Sequence, residues 1–310
     1  HLLSRRQRQM CIRDSSVAGA VPIIRALKQS LAGAELTEVA GIVNGTTNYI
    51  LTKMSEVGMD YKEALELAMK KGYAEADPTA DGEGYDAGRK IAIMASIAFN
   101  SRVTFSQVST EGITGITAKD IQYARDFGYV IKLLGIAKKE EDGIEVKVHP
   151  MLVPEDHPLA SVRSSFNAVF VRGDACDEAM FMGRGAGKML TASAVMGDVI
   201  DVMGNLVHGC CGRMGCTCYK NIPVKEEGST MSKYFLRVQV SDRPGALANI
   251  AGVLGNNNVS IAQVYQKRSE NGVAELVIIT DRVMERNFND SLTVIQGMTA
   301  MKEVSSVIRV

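Results

Sequence analysis

The 310-residue chain has no excess charge of either sign, few cysteines for its length, four histidines and no very long apolar run, and each shortage removes a class of function. Thirty-five Lys+Arg stand against 35 Asp+Glu, whereas a protein that grips nucleic acid or a membrane surface needs a basic excess. Small-molecule partners are expected instead, with no nucleic acid and no membrane. Ile91–Phe99 reads as the longest nearly uncharged apolar stretch, far short of the roughly 20 residues that span a bilayer, so no transmembrane helix is expected. Six cysteines, four of them bunched at Cys210, Cys211, Cys216 and Cys218, do not make a disulfide-dense secreted domain. A reducing, cytoplasmic setting is expected. His1, His149, His157 and His208 form no pair at metal-ligand spacing, and none stands out as a catalytic base.

The first fifteen residues, His1–Ser15, carry four arginines and one aspartate and no apolar core of the kind a secretion signal requires. An organelle-targeting peptide has this basic character. The abrupt change to regular patterning at Ser16 favours a non-native leader instead, so 1–15 is set aside from fold reasoning. The rest of the chain is long enough for two domains at roughly 100–200 residues each.

Residues 17–32 open with small residues, then Pro22 and an apolar-periodic run, which predicts a helix with proline near its start. Leu36–Val43 predicts a strand ending at Asn44-Gly45, and Thr46–Val57 a helix. A second helix over Tyr61–Lys71 stops at Gly72, and a third runs over Gly84–Phe99. Segments 130–139, 144–153 and 167–173 alternate or run apolar with β-branched residues, as strands of one sheet do. Gly183–Gly187 reads as a glycine-rich turn before an apolar helix, Thr191–Leu206. A shift to Gly, Cys, Lys and Glu over 208–232 marks a linker. Beyond it, strand, helix, strand, strand, helix, strand within 80 residues is the ferredoxin-like βαββαβ order. The fold class expected is α/β (α+β): a mixed-sheet domain over 16–207, the linker 208–232, and the βαββαβ domain over 233–310.

From the turn after the second helix into the start of the third, Glu75, Asp77, Asp81, Glu83 and Asp86 fall within twelve positions, followed by Lys90. One reading is a solvated acidic turn with carboxylates at a helix N-terminus. The other rests on spacing: Asp86 and Lys90 stand four apart and share a helical face. A substrate resting there would meet an anion and an ammonium together; the ammonium can polarise an oxygen or exchange its proton while carboxylates hold an amine. Nothing fixes these carboxylates at calcium-loop spacing. The cysteine spacing C-C-x4-C-x-C departs from the separated C-x2-C pairs of structural zinc sites and reads more readily as a reduced loop. Gly183–Gly187 before a helix could receive an anion or cofactor phosphate, or merely permit close packing. The turn Asp242-Arg243-Pro244-Gly245-Ala246-Leu247 between strand and helix offers helix N–H groups to a carboxylate, or is a turn shaped by Pro and Gly alone.

Four stretches together resemble the homoserine dehydrogenase family: Ser16-Val17-Ala18-Gly19-Ala20-Val21-Pro22-Ile23-Ile24; Gly41-Ile42-Val43-Asn44-Gly45-Thr46-Thr47-Asn48-Tyr49-Ile50-Leu51; Gly72-Tyr73-Ala74-Glu75-Ala76-Asp77-Pro78-Thr79 running to Gly84-Tyr85-Asp86 and Arg89-Lys90; and the glycine turn before Thr191-Ala192-Ser193-Ala194-Val195. The tail Lys233–Val310 resembles an ACT domain, an amino-acid-binding regulatory module. The resemblance implies NAD- or NADP-dependent interconversion of L-homoserine and L-aspartate 4-semialdehyde in threonine and methionine biosynthesis, feedback through the ACT domain, threonine being the expected effector, and a homodimer or homotetramer.

Carried over by resemblance, Lys90 matches the catalytic lysine that handles the proton of the alcohol or aldehyde oxygen. Glu75 and Asp86 match substrate-binding carboxylates, with Asp81 beside that pocket, and Gly187 matches a cofactor-contacting glycine. Val17, Gly19 and Val21 match backbone ligands of a monovalent cation, Na+ or K+, whose side-chain ligand, a glutamate, is replaced by Asp14. Asp242, Pro244, Gly245 and Ala246 are the candidate effector contacts. Arg184, and Leu190 where proline is usual, depart from the pattern. The family's G-x-G-x-x-G cofactor-binding domain has no counterpart, so the chain is expected to be the substrate-binding and ACT part and to turn over little by itself. The alternative is a non-catalytic amino-acid-sensing module.

Overall fold

The computed structural model describes residues 17–210, 216–266 and 272–310. The leader, Asp14, Ser16 and Cys211 lie outside the described residues. The chain divides into two compact units, 1–224 and 225–310.

In the first unit, strand β1 (Leu36–Ile42) leads through Asn44 into helix α1 (Gly45–Val57). Asn44 is its N-cap: the backbone there is extended, and its side-chain oxygen accepts the Thr47 N–H at 2.9 Å, satisfying one of the donors every helix start leaves open. Helix α2 (Tyr61–Lys70) begins with a reciprocal capping box between Asp60 and Glu63. Helix α3 is Tyr85–Ala98 and α4 Ala118–Asp126. Strands β2 (Tyr129–Glu140) and β3 (Gly143–Pro154) form a long hairpin, β4 is Phe166–Gly173 and β5 Asp177–Arg184, and α5 runs Lys188–Val207.

The sheet order is β5-β4-β1-β2-β3, antiparallel throughout, with the short strand Ser109–Thr110 added in parallel to β3. Side chains alternate across a strand, so β2 presents Ile131, Leu133 and Ala137 to one face and Lys132, Leu134 and Ile136 to the other. Both faces are buried. Leu134 and Ile136 join Ala40, Ile42, Val153, Leu159 and Phe170 in one core cluster. Buried His149 of β3 lies between Ser109 Oγ (3.1 Å) and Glu111 Oε2 (3.2 Å).

The structure departs from the sequence expectations in four places. Residues 17–32 are not one helix: Ala18 and Gly19 take left-handed φ values of 59° and 58°, which no right-handed helix accepts, so only Ile23–Arg25 is α-helical before a π-turn at Ala26–Ser30. Gly183 and Arg184 are not turn residues but the end of β5, paired with Asn167 and Phe166. Helix α4, with its Thr117–Asp120 capping box, lies in a stretch for which the sequence pattern predicts no element. Finally, α5 is a longer apolar stretch than Ile91–Phe99: with 20 residues and a mean hydropathy of 1.3 it is long and apolar enough to cross a membrane by length and composition. Length and composition do not put it in a bilayer. It carries Asp198 and Asp201, and mid-span charges are costly in lipid. Asp198 is buried against this unit and pairs with Arg25 at 3.3 Å.

The second unit holds β6 (Tyr234–Ser241), α6 (Ala246–Asn256), β7 (Ile261–Gln266), β8 (Val273–Thr280), α7 (Glu285–Gln296) and β9 (Met301–Arg309). Its antiparallel strands lie in the order β9-β6-β8-β7, the ferredoxin-like arrangement the βαββαβ order requires. Leu236, Val238, Ile250, Leu254, Leu276, Ile278 and Phe288 fill the core between sheet and helices, and the Tyr234 and Phe288 rings stack with centroids 3.7 Å apart.

Candidate active site

Three short segments converge on one cleft of about 500 Å³. The start of α1 supplies Asn44, Gly45 and Thr46; the turn before α3 and its first turns supply Glu75, Asp77, Asp81, Asp86, Arg89 and Lys90; the end of β5 and the following glycines supply Arg184, Gly185, Ala186 and Gly187, with Ser165 and Asn167 beside them. The chain can turn sharply into α3 because Gly84 sits at φ +78°, a conformation glycine adopts without the Cβ penalty.

Lys90 and Asp86 stand one turn apart on α3, and the Lys90 ammonium donates to Asp86 Oδ2 at 2.6 Å and to the Val43 carbonyl at 3.0 Å. Those two contacts fix the ammonium at the C-terminal end of β1 and leave its third N–H for a ligand. Asn44 donates through Nδ2 to Asp81 Oδ1 at 2.6 Å and to Asp86 Oδ2 at 3.0 Å. One amide therefore caps a helix and ties two carboxylates together. Glu75 lies exposed at the lip. Asp77 also lines the cleft; hydrogen bonds from the Thr79 side chain and backbone hold its carboxyl below the usual range. Tyr61 lies under this turn, and burial, then the Glu83 and Asp81 charges, push its hydroxyl upward.

Lys90, Glu75, Asp81, Asp86 and Gly187 thus meet in one cleft. Val17, Gly19 and Val21 do not line it. They form a loop packed behind the glycine turn, where a Cβ on Gly19 would fall 2.1 Å from the Gly185 carbonyl oxygen, and the Ala20 N–H donates to the Arg184 carbonyl at 3.4 Å. Among the described residues no group of three His, Cys, Asp or Glu side chains is placed to hold a metal; Cys210 and Cys216 are exposed and Cys218 Sγ lies 3.6 Å from the Ser96 carbonyl. In the second unit a separate cavity of about 440 Å³ is lined by Asp242, Arg243, Gly245, Ala246, Leu247, Gln266 and Leu276. Pro244 is not among its lining residues.

Sequence reasoning does not pick out Asn44, Arg89, Ser165, Asn167 or Arg184 as cleft residues. For Asn44 a signal is present, since an asparagine between a β-run and a helix is a strong N-cap candidate. For Arg184 the signal is only the glycine-rich segment Gly183–Gly187 that contains it; the pairing of β5 with β4 brings its side chain to the cleft.

The first unit thus holds a cleft with a lysine fixed among carboxylates beside Gly185 and Gly187, and the second unit has the ferredoxin-like strand order. The homoserine dehydrogenase family model matches residues 22–200, and the ACT domain model residues 234–296. The chain is 44% identical over 302 residues to a homoserine dehydrogenase of Corynebacterium glutamicum, covering 96% of this chain and 67% of the relative. To that of Bacillus subtilis it is 41% identical over 301 residues, covering 96% and 69%. Among solved structures, a homoserine dehydrogenase from Thiobacillus denitrificans superposes with TM-score 0.90 at 37% identity, covering 96% of this chain and 69% of that one. A hyperthermophilic archaeal homoserine dehydrogenase mutant in complex with NADPH superposes with TM-score 0.53 at 29% identity, covering 62% and 55%. The chain belongs to the homoserine dehydrogenase family of NAD(P)-using oxidoreductases of threonine and methionine biosynthesis, and spans about two thirds of the length of the curated relatives.

Proposed function

We propose that the cleft binds L-homoserine or L-aspartate 4-semialdehyde and that Lys90 carries the proton at the reacting oxygen. The observation that carries this reading is the Lys90 ammonium, held by Asp86 and the Val43 carbonyl with one donor left for a ligand. A substrate oxygen at that donor is polarised as the aldehyde and protonated as it becomes the alcohol; in the other direction the neutral amine takes the hydroxyl proton. Glu75, exposed at the lip, and Asp81 and Asp86, tied together by Asn44, face the substrate ammonium. Arg89 and Arg184 are the cleft cations that can meet its carboxylate.

A nicotinamide, when bound, takes or returns the hydride. The residues that fit it are Gly185, Ala186 and Gly187 at the cleft wall: a Cβ on Gly185 would lie 2.1 Å from Asn167 Nδ2 and Gly187 has φ +141°, so two of the three positions exclude a side chain. The fit for a monovalent cation is partial. Among the described residues the Val17 and Gly19 carbonyls take no backbone hydrogen bond, whereas the Val21 carbonyl already accepts the Ile23 N–H at 2.7 Å. No step is assigned to a cation.

We further propose that the cavity at Asp242–Leu247 receives an amino-acid effector, threonine first, its carboxylate meeting the N–H groups at the start of α6, and that the protein works as a homodimer or homotetramer. The test is homoserine oxidation by a form joined to a dinucleotide-binding domain, as wild type and Lys90→Ala: general acid–base removal lowers kcat about 10²–10⁴-fold, and an unchanged rate would remove Lys90 from the chemistry. Threonine titration calorimetry on this chain reads the effector claim separately.

A further inference from the structure

A second cavity, of about 270 Å³, lies at the other end of α1, lined by Ser55 and Glu56 of that helix, Arg125 of α4, Lys132 of β2, Glu155 and Arg163. Its unusual member is Lys132, which is 2% exposed. The Lys132 ammonium donates to Asn48 Oδ1 at 3.1 Å and to the Val162 carbonyl, both uncharged acceptors. Among the described residues no carboxylate lies within ion-pair distance of it. Glu56, whose charge favours the Lys132 ammonium, is already shared by Lys53 at 3.3 Å and Arg163 at 3.8 Å. Arg125 is turned onto the Ser55 carbonyl and hydroxyl, and Glu155 is the only other carboxylate among the lining residues.

Among the residues lining this space, Arg125, Lys132 and Arg163 outnumber Glu56 and Glu155. A buried charge without a partner is among the most expensive features a fold can carry, and proteins relieve it with a counter-charge or by giving up the proton. We propose that this cavity is a binding site for a small oxyanion, a carboxylate or phosphate group, which supplies the counter-charge that Lys132 lacks and is held from the open side by Arg163. Burial, and next the Arg163 charge, bring the Lys132 amine down to about 8, which agrees with an ammonium whose counter-charge is missing. The site also bears on the cleft. Asn48, which accepts from Lys132, donates to the Phe166 carbonyl at 3.1 Å, and Asn167 follows in the cleft wall, so an anion beside Lys132 would firm the joint between α1 and β4.

The experiment is thermal unfolding of the 310-residue chain at pH 7 with inorganic phosphate, succinate or chloride at matched ionic strength, for wild type, Lys132→Met, Arg163→Gln and Lys90→Met. Phosphate, succinate or both are expected to raise the wild-type Tm in a saturable way beyond chloride, and whichever acts identifies the group. The rise should vanish in Lys132→Met, weaken several-fold in Arg163→Gln and persist in Lys90→Met, which places it away from the cleft. Equal effects of all three salts, a wild-type response in both Lys132→Met and Arg163→Gln, or loss of the response in Lys90→Met would overturn the proposal. Should Lys132→Met not fold, Arg163→Gln decides alone.

Discussion

Asn44 Nδ2 lies 2.6 Å from Asp81 Oδ1, and the same nitrogen reaches Asp86 Oδ2 at 3.0 Å. The amide holds two like charges together in a cleft, and its own oxygen caps α1. Asn44→Asp keeps a cap acceptor but replaces the donor with a third carboxylate. Asn44→Ala loses both functions. The cap is worth about 1 kcal/mol, so Asn44→Ala should lower unfolding stability by roughly that amount, while Asn44→Asp should weaken homoserine binding more than Asn44→Ala does. Chemical denaturation and substrate titration read the two effects separately; equal binding by both variants would mean that the bridge does not order the carboxylates.

Asp86 shares its Oδ2 between Asn44 and Lys90. Asp86→Asn removes the charge that the ammonium faces but keeps an oxygen at that place. In a cofactor-competent form the variant should lose kcat at pH 7 by at least tenfold and retain its fold by circular dichroism. A raised KM alone, with kcat intact, would assign Asp86 to binding and not to setting Lys90.

The pairing of Asp86 with Lys90 is legible in the sequence because it depends only on a four-residue spacing within one helix. The hairpin β2–β3 and the βαββαβ unit are legible for the same kind of reason, since local periodicity decides them. The rest of the cleft is made by pairing across the chain. Arg184 and Asn167 meet it through the register of β4 with β5, and β5 itself, Asp-Glu-Ala-Met-Phe-Met-Gly-Arg, has no β-branched residue to announce a strand. Lys132 is hidden differently. Within an apolar strand a lysine is ordinarily assigned to a solvated face, yet its face-mates Leu134 and Ile136 are core residues, so this strand has no solvated face there.

In the second unit Arg237 of β6 and Glu275 of β8 form a buried pair at 3.1 Å. Breaking a buried pair from one side typically costs about 3–5 kcal/mol, whereas replacing both members with apolar residues of like size is often neutral or stabilising. Glu275→Gln should therefore destabilise this unit strongly, and Arg237→Met combined with Glu275→Leu should recover most of the loss. Urea denaturation of wild type, the single variants and the double variant measures the coupling; additive losses would mean that the two side chains contribute independently.

Lys132 gives a pH dependence whose sign is opposite to that of an ion-paired lysine. Its amine titrates near 8 in the folded chain and at its ordinary value, 10.5, when unfolded. Below pH 8 the amine is charged in both states and folding bears the full cost of burying the ammonium. Between 8 and 10.5 the folded state sheds its proton first, the unfolded state binds more protons, and stability rises with pH. Lys132→Met carries no such titration, though it leaves the Asn48 Oδ1 and Val162 acceptors without their donor. In a buffer free of phosphate and carboxylates, its stability relative to wild type should therefore fall by roughly 3 kcal/mol between pH 8 and 10.5, at about 1.4 kcal/mol for each pH unit of difference. Parallel denaturation curves of the two proteins across this range cancel the titration of every other lysine and tyrosine. A difference that stays flat with pH would show that the folded chain already compensates the Lys132 charge, and would count against an anion site beside it. A difference that changes with pH only when phosphate is left out would tie the titration directly to the cavity.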